Sequence, residues 1–209
     1  YNTARKGGLI ALELNEGDEL AWVRLTDGNQ QVVVATKNGL AIRFEETDVR
    51  PMGRQARGVK AISLREGDCV VGMCVVANDD LILTASETGF GRISNVSDYR
   101  LQSRGGKGIT NYHTEKYGNV AAVSAVKLDE DIIIISQEGV IIRIAADTVR
   151  ICNRPSKGVT LMRIGENDKV VTVARAPHED SESEKQPKKK LPRKILPLKQ
   201  MPKRIQKNK

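Results

Sequence analysis

One motif recurs along this chain at a constant interval, and that limits the fold more than any local preference does. The turn Arg54-Gln55-Ala56-Arg57-Gly58-Val59 returns as Arg104-Gly105-Gly106-Lys107-Gly108-Ile109 and Arg154-Pro155-Ser156-Lys157-Gly158-Val159, with its last glycines 50 residues apart. Gly8, after Arg5 and Lys6, extends the series to the first residues, so the repeat turns are 5–8, 54–58, 104–108 and 154–158. Self-similarity at a long fixed period restricts the chain to stacked or radial supersecondary units, each burying its apolar face against a neighbour.

Each period reads as a succession of short strands. An alternating segment follows the basic turn, as in Val59, Ala61, Ile62 and Leu64, and then a polar turn, Glu16-Gly17-Asp18, Glu66-Gly67-Asp68 or Glu166-Asn167-Asp168. The third period has His113 to Asn119 instead. Strands are expected at 20–25, 70–76, 120–126 and 170–174, then β-branched runs such as Val32-Val33-Val34 and Ile132-Ile133-Ile134-Ile135. Runs this apolar and too short for an ordinary helix read as strands buried on both faces. Gly39, Gly89 and Gly139 then supply hairpin turns into a fourth strand. Asp18, Asp68 and Asp168 are expected to form turns rather than bind metal. Four strands per period without helical periodicity predict an all-β, propeller-like array of four-stranded blades over residues 1–176, three full periods and a half. Such an array is an incomplete ring and reads as part of a longer protein.

Beyond Pro177 the pattern stops. Prolines at 187, 192, 197 and 202 among lysines predict a disordered tail over 177–209. The charge divides in the same place. Lys185 to Lys209 hold eleven Lys or Arg and no acid, whereas residues 1–178 hold 23 basic and 22 acidic side chains. Anion binding by the body therefore depends on placement, not on net charge. Cys69, Cys74 and Cys152 lack metal-ligand spacing and are expected to be buried thiols. With no long apolar run and no signal pattern, a cytoplasmic protein without a membrane partner is expected.

These residues resemble the C-terminal domain of the bacterial DNA gyrase A subunit, and next that of its topoisomerase IV relative. The paired pattern of basic turn, strand and Gly-Asp carries the resemblance over about residues 1–178. The stretch Gln102-Ser103-Arg104-Gly105-Gly106-Lys107-Gly108 is similar at six of seven places to the family's gyrase box, Gln-Arg-Arg-Gly-Gly-Lys-Gly. The family carries that box in the first of usually six blades. Here the stretch lies in the last repeat but one, the position of a repeat turn rather than of the box.

The resemblance implies a β-pinwheel whose blades exchange strands and whose basic rim bends double-stranded DNA. It also implies partners outside this chain, a second A subunit together with the gyrase B subunit, and a nucleoid-associated location in bacteria. The family's catalytic tyrosine domain has no counterpart among Tyr1, Tyr99, Tyr112 and Tyr117, so no catalysis and no cofactor are expected of this chain. ATP and Mg2+ would act elsewhere in a holoenzyme that introduces negative supercoils. A protein-interaction propeller without DNA binding is the other class, and it expects no continuous basic rim.

The candidate DNA-binding residues are Arg5, Lys6, Arg54, Arg57, Arg104, Lys107, Arg154 and Lys157, with Arg43, Arg92 and Arg143 as a second row after the hairpin glycines. Arg and Lys at successive turns lay donors for phosphate oxygens along a curved path, and the adjacent Gly is expected to admit the DNA backbone. The alternative for Arg54, Arg104 and Arg154 is bracing of neighbouring acids such as Asp48 and Asp98. A nucleotide phosphate loop at Gly105 to Gly108 lacks the required strand-to-helix context.

Overall fold

A computed structural model describes residues 3, 4 and 6–178. Arg5 and the stretch 179–209, with the basic tail, lie outside the described residues. β-Branched runs and hairpin glycines produce three antiparallel hairpins: β1 (Gln31–Thr36) with β2 (Leu40–Glu45), β4 (Leu81–Ser86) with β5 (Phe90–Asn95), and β8 (Glu130–Ser136) with β9 (Ile141–Ala145). Each hairpin is then completed from later periods. β3 (Val70–Val76) pairs with β1, β7 (Val120–Val126) with β4, and β11 (Val170–Pro177) with β8. On the other side β6 (Ile109–Thr110) pairs with β2, and β10 (Val159–Thr160) with β5. The sheet orders are β3-β1-β2-β6, β10-β5-β4-β7 and β11-β8-β9. A blade therefore does not coincide with a period: the first sheet draws strands from three of them.

The strand exchange corrects two sequence expectations. The segment after each basic turn is a two-residue strand at most, because it serves only as the edge of an earlier blade. Residues 9–14 and 20–25 form no strand among the described residues, and Val23 and Leu25 are exposed. Of the cysteines only Cys74 is buried, its thiol pushed up to about 11 chiefly by burial; Cys69 is exposed and Cys152 half-buried. Thr114–Tyr117 form one short helix, α1, where the Gly-Asp turn is missing. No helix of the described residues is long and apolar enough to cross a membrane.

The core lies between successive sheets. Val33, Ala35, Cys74 and Val76 of the first pack on Ile82, Val96, Tyr99 and Val123 of the second, and Leu83, Ile93 and Val126 of the second pack on Ile132, Ile134 and Val149 of the third. β3, β7 and β11 lie against one another, so each sheet has one edge at the centre of the array. The opposite edges, at β6 and β10, are continuous with the basic turns. The turns are therefore carried at the periphery.

Candidate nucleic-acid interface

The basic turns at 104–108 and 154–158 are built against the blade before them. Gly158 has φ of +81°, and a Cβ there would lie 2.0 Å from the carbonyl oxygen of Gly91 in β5. Gly108 stands 2.6 Å by the same measure from the carbonyl oxygen of Ala41 in β2. At Gly108 and Gly158 glycine is thus required for contact with the protein's own neighbouring strand, whereas a Cβ at Gly8 or Gly58 would meet nothing within 4 Å. The Gly105 amide donates to Ala61 O at 2.6 Å, and Gly106 O accepts from the Ser63 amide at 2.8 Å. Both groups are consumed within the protein, so the gyrase-box-like stretch Gln102 to Gly108 forms a blade junction.

The first arginine of the turn is a clamp. Arg104 Nε donates to Asp48 O at 2.9 Å and its guanidinium to Lys60 O at 3.3 Å. Arg154 makes the same pair one period later, to Asp98 O at 2.8 Å and Thr110 O at 2.5 Å, and lies 5.0 Å from the Tyr99 ring centroid. The partners are backbone carbonyls and not the Asp carboxylates. A guanidinium is suited to this because its fork reaches two chain segments at once. Arg54 is exposed.

The second basic residue of the turn is the outward one. Lys107 is exposed, as is Lys6. Arg57 is exposed and 3.3 Å from Glu13, an ion pair with both partners in solvent. Such a pair contributes little to stability. Lys157 is half-buried, with Nζ 3.5 Å from the Phe90 ring centroid.

Arg43, Arg92 and Arg143 do not form a surface row. Arg43 and Arg143 are 100 residues apart, but Arg92 is one position out of step, and a one-residue shift on a strand moves a side chain to the opposite face. Arg92 is fully buried, donating to Ser156 O at 3.2 Å, Ser94 Oγ at 2.6 Å and Asn111 O. Arg43 is 6% exposed and donates to Val96 O at 2.8 Å and Tyr99 O at 3.0 Å, its proton affinity lowered by burial. Arg143 holds Asp131 at 2.6 Å and Pro177 O at 2.7 Å. Arg43 and Arg92 thus join neighbouring blades, whereas Arg143 is exposed and braces strands of its own sheet. The aspartates of the polar turns behave as expected: Asp68 Oδ1 accepts from the amides of Asn38 and Cys69, and Asp168 Oδ1 from those of Glu138 and Lys169.

A row missed in the sequence lies four residues before each clamp. Arg50, Arg100 and Arg150 are all exposed. Arg150 and Lys157 line one open concavity of about 760 Å³ at the fourth turn, 154–158, together with Ile151 and Tyr117. The signal was present, since these arginines close each period at the same 50-residue interval. The periphery thus pairs two cationic positions per turn: Arg50 with Arg57, Arg100 with Lys107, and Arg150 with Lys157.

Known proteins share this fold. The family model described as DNA gyrase C-terminal domain, beta-propeller, matches residues 1–27, 30–76, 80–127 and 130–177. The DNA gyrase A subunit of Halalkalibacterium halodurans is 60% identical over 60 residues, 29% of this chain and 7% of that protein. Its Clostridium acetobutylicum counterpart is 57% identical over the same share of each. The matched stretch therefore spans a small part of these relatives. Among solved structures, the C-terminal domain of DNA topoisomerase IV superposes with a TM-score of 0.75 at 25% identity, covering 80% of this chain and 53% of that one. The DNA gyrase A C-terminal domain gives 0.73 at 29% identity, covering 82% and 59%.

Proposed function

The chain belongs to the DNA gyrase C-terminal domain family, and from that premise we propose that it binds double-stranded DNA along its peripheral basic turns and bends the duplex around the array. The observation that carries this reading is the repetition of two cations per turn, Arg50 with Arg57, Arg100 with Lys107 and Arg150 with Lys157, of which all but the half-buried Lys157 are exposed, on turns continuous with the sheet edges opposite the centre. Because the spacing follows blade geometry, the contacts go to phosphates and carry little sequence information. Bending costs on the order of several kcal/mol over a few tens of base pairs, so many weak contacts must act together.

In the whole protein the wrapped segment is presented for strand passage by a gyrase A subunit, whose partners are a second copy of itself and the gyrase B subunit, with ATP and Mg2+ acting in those other parts. This chain's role is to set the path of the DNA so that the assembly introduces negative supercoils. The gyrase A relatives support gyrase over topoisomerase IV. The basic tail from Lys185 adds sequence-independent attraction for DNA.

The deciding experiment is a salt titration of binding to a long duplex. With six to ten phosphate contacts, affinity falls about 10³- to 10⁵-fold between about 50 and 200 mM salt. A flat dependence, or no binding, would leave a protein-interaction propeller as the function.

A further inference from the structure

The exposed arginines Arg50, Arg100 and Arg150 are each followed by an apolar residue: Pro51, Leu101 and Ile151. An exposed side chain of this kind is ordinary when it occurs once, but here it recurs at one register of a basic periphery. Leu101 is 49% exposed and Ile151 44%, and neither belongs to a core cluster.

Their backbones are fixed. Leu101 forms a parallel bridge with Arg43, and the next amide, Gln102, donates to Arg43 O at 2.9 Å. Ile151 forms the same bridge with Ile93, with Cys152 donating to Ile93 O at 2.8 Å. Ile151 also faces the concavity that Arg150 and Lys157 line. A rigid apolar tip beside cations, as Ile151 is beside Arg150 and Lys157, is complementary to a duplex at one kind of place: a base step opened on the groove side, with phosphates nearby.

We propose that Leu101 and Ile151, with Pro51 as the first member of the series, are wedges that enter opened base steps and kink the duplex once per blade. The inference rests on the DNA-binding reading above. Leu, Ile and Pro are side chains suited to partial insertion between bases from the minor groove, where each opened step bends the duplex by about 20–90°. Flexible pyrimidine–purine steps accept such a kink with least cost. The cations supply attachment, and the wedges convert attachment into curvature.

The test uses the full chain and a duplex of about 150 base pairs, one persistence length, with TA steps in phase with the helical repeat. Permanganate reactivity reports unstacked thymines, and energy transfer between labelled ends reports the bend. Wild-type protein is expected to raise reactivity at TA steps and shorten the end-to-end distance. The double variant Leu101→Ala, Ile151→Ala is expected to bind within about fivefold of wild type, because burying the wedge and opening the step largely offset each other. Its permanganate signal should return to that of free DNA, and the Met variants at both positions should restore it. An unchanged thermal transition shows that the Ala variant is folded. Binding without enhanced reactivity in the wild type, or reactivity that survives in the Ala variant, would overturn the wedges alone. Absence of salt-dependent binding by the wild type would overturn the DNA-binding reading and the wedges with it.

Discussion

Arg154 Nε lies 2.8 Å from the carbonyl oxygen of Asp98, one period after Arg104 makes the same contact at 2.9 Å with Asp48 O. The repetition makes each first arginine a joint between consecutive blades. Replacing either arginine with Ala should cost about 1.5–3 kcal/mol, since two carbonyls lose a charged donor together. Lys should not restore it, because an ammonium lacks the fork that spans both segments. Chemical denaturation of Arg154→Ala and Arg154→Lys checks this, and a variant as stable as wild type would remove the clamp.

Lys107 should behave oppositely. It is exposed, so Lys107→Ala should change stability by no more than about 0.5 kcal/mol. It should weaken DNA binding for all sequences alike and reduce the logarithmic salt slope by about 1. Binding isotherms at several salt concentrations read both effects, and an unaltered slope would place the DNA path elsewhere.

Glu13 lies 3.3 Å from Arg57 with both partners exposed, so on the proposed DNA-binding reading it competes with phosphate for that arginine. Neutralising it as Glu13→Gln should tighten DNA binding by a few fold at low salt, with the gain shrinking as salt screens the surface. The paired Glu13→Gln, Arg57→Ala variant should show none of the gain.

Arg92 is fully buried, and its partners are backbone and side-chain oxygens without a carboxylate. Arg92→Met should lower stability by about 3 kcal/mol or more, because Asn111 O and Ser156 O are left without a donor in the interior. The folded fraction should keep the wild-type salt slope. A reduced slope would return Arg92 to the DNA contacts.

Asp131 accepts from His178 and from Arg143, both at 2.6 Å, and these contacts, the His178 hydrogen bond foremost, hold its carboxyl below the ordinary value against the opposing effect of burial. A depressed native value means that the stabilisation is complete above the unfolded-chain value of about 3.9 and is lost as pH falls through the native one. Thermal midpoints of wild type should therefore drop more steeply below about pH 4 than those of Asp131→Asn, and the two should converge in acid. Parallel curves would show that this carboxylate does not drive the acid transition.

Sequence and structure divide this protein along a clear physical line. The 50-residue period, the hairpin glycines and the buried runs of Val and Ile are local properties of the chain. They determined the strands of each hairpin, the all-β class and the existence of a repeated basic turn. Which strand joins which sheet is settled by burial across periods, so β6 and β10 were legible as segments but not as edges of an earlier blade. The same holds for charge. Arg104 and Lys107 stand in one turn, yet the first reaches carbonyls of two earlier segments while the second faces solvent. Arg43 and Arg92 lie inside for a similar reason, although Arg92 is one residue out of step with Arg43. A sequence shows where cations recur, but a guanidinium is drawn inward wherever neighbouring strands leave carbonyls unpaired, and only the packed array decides where that happens.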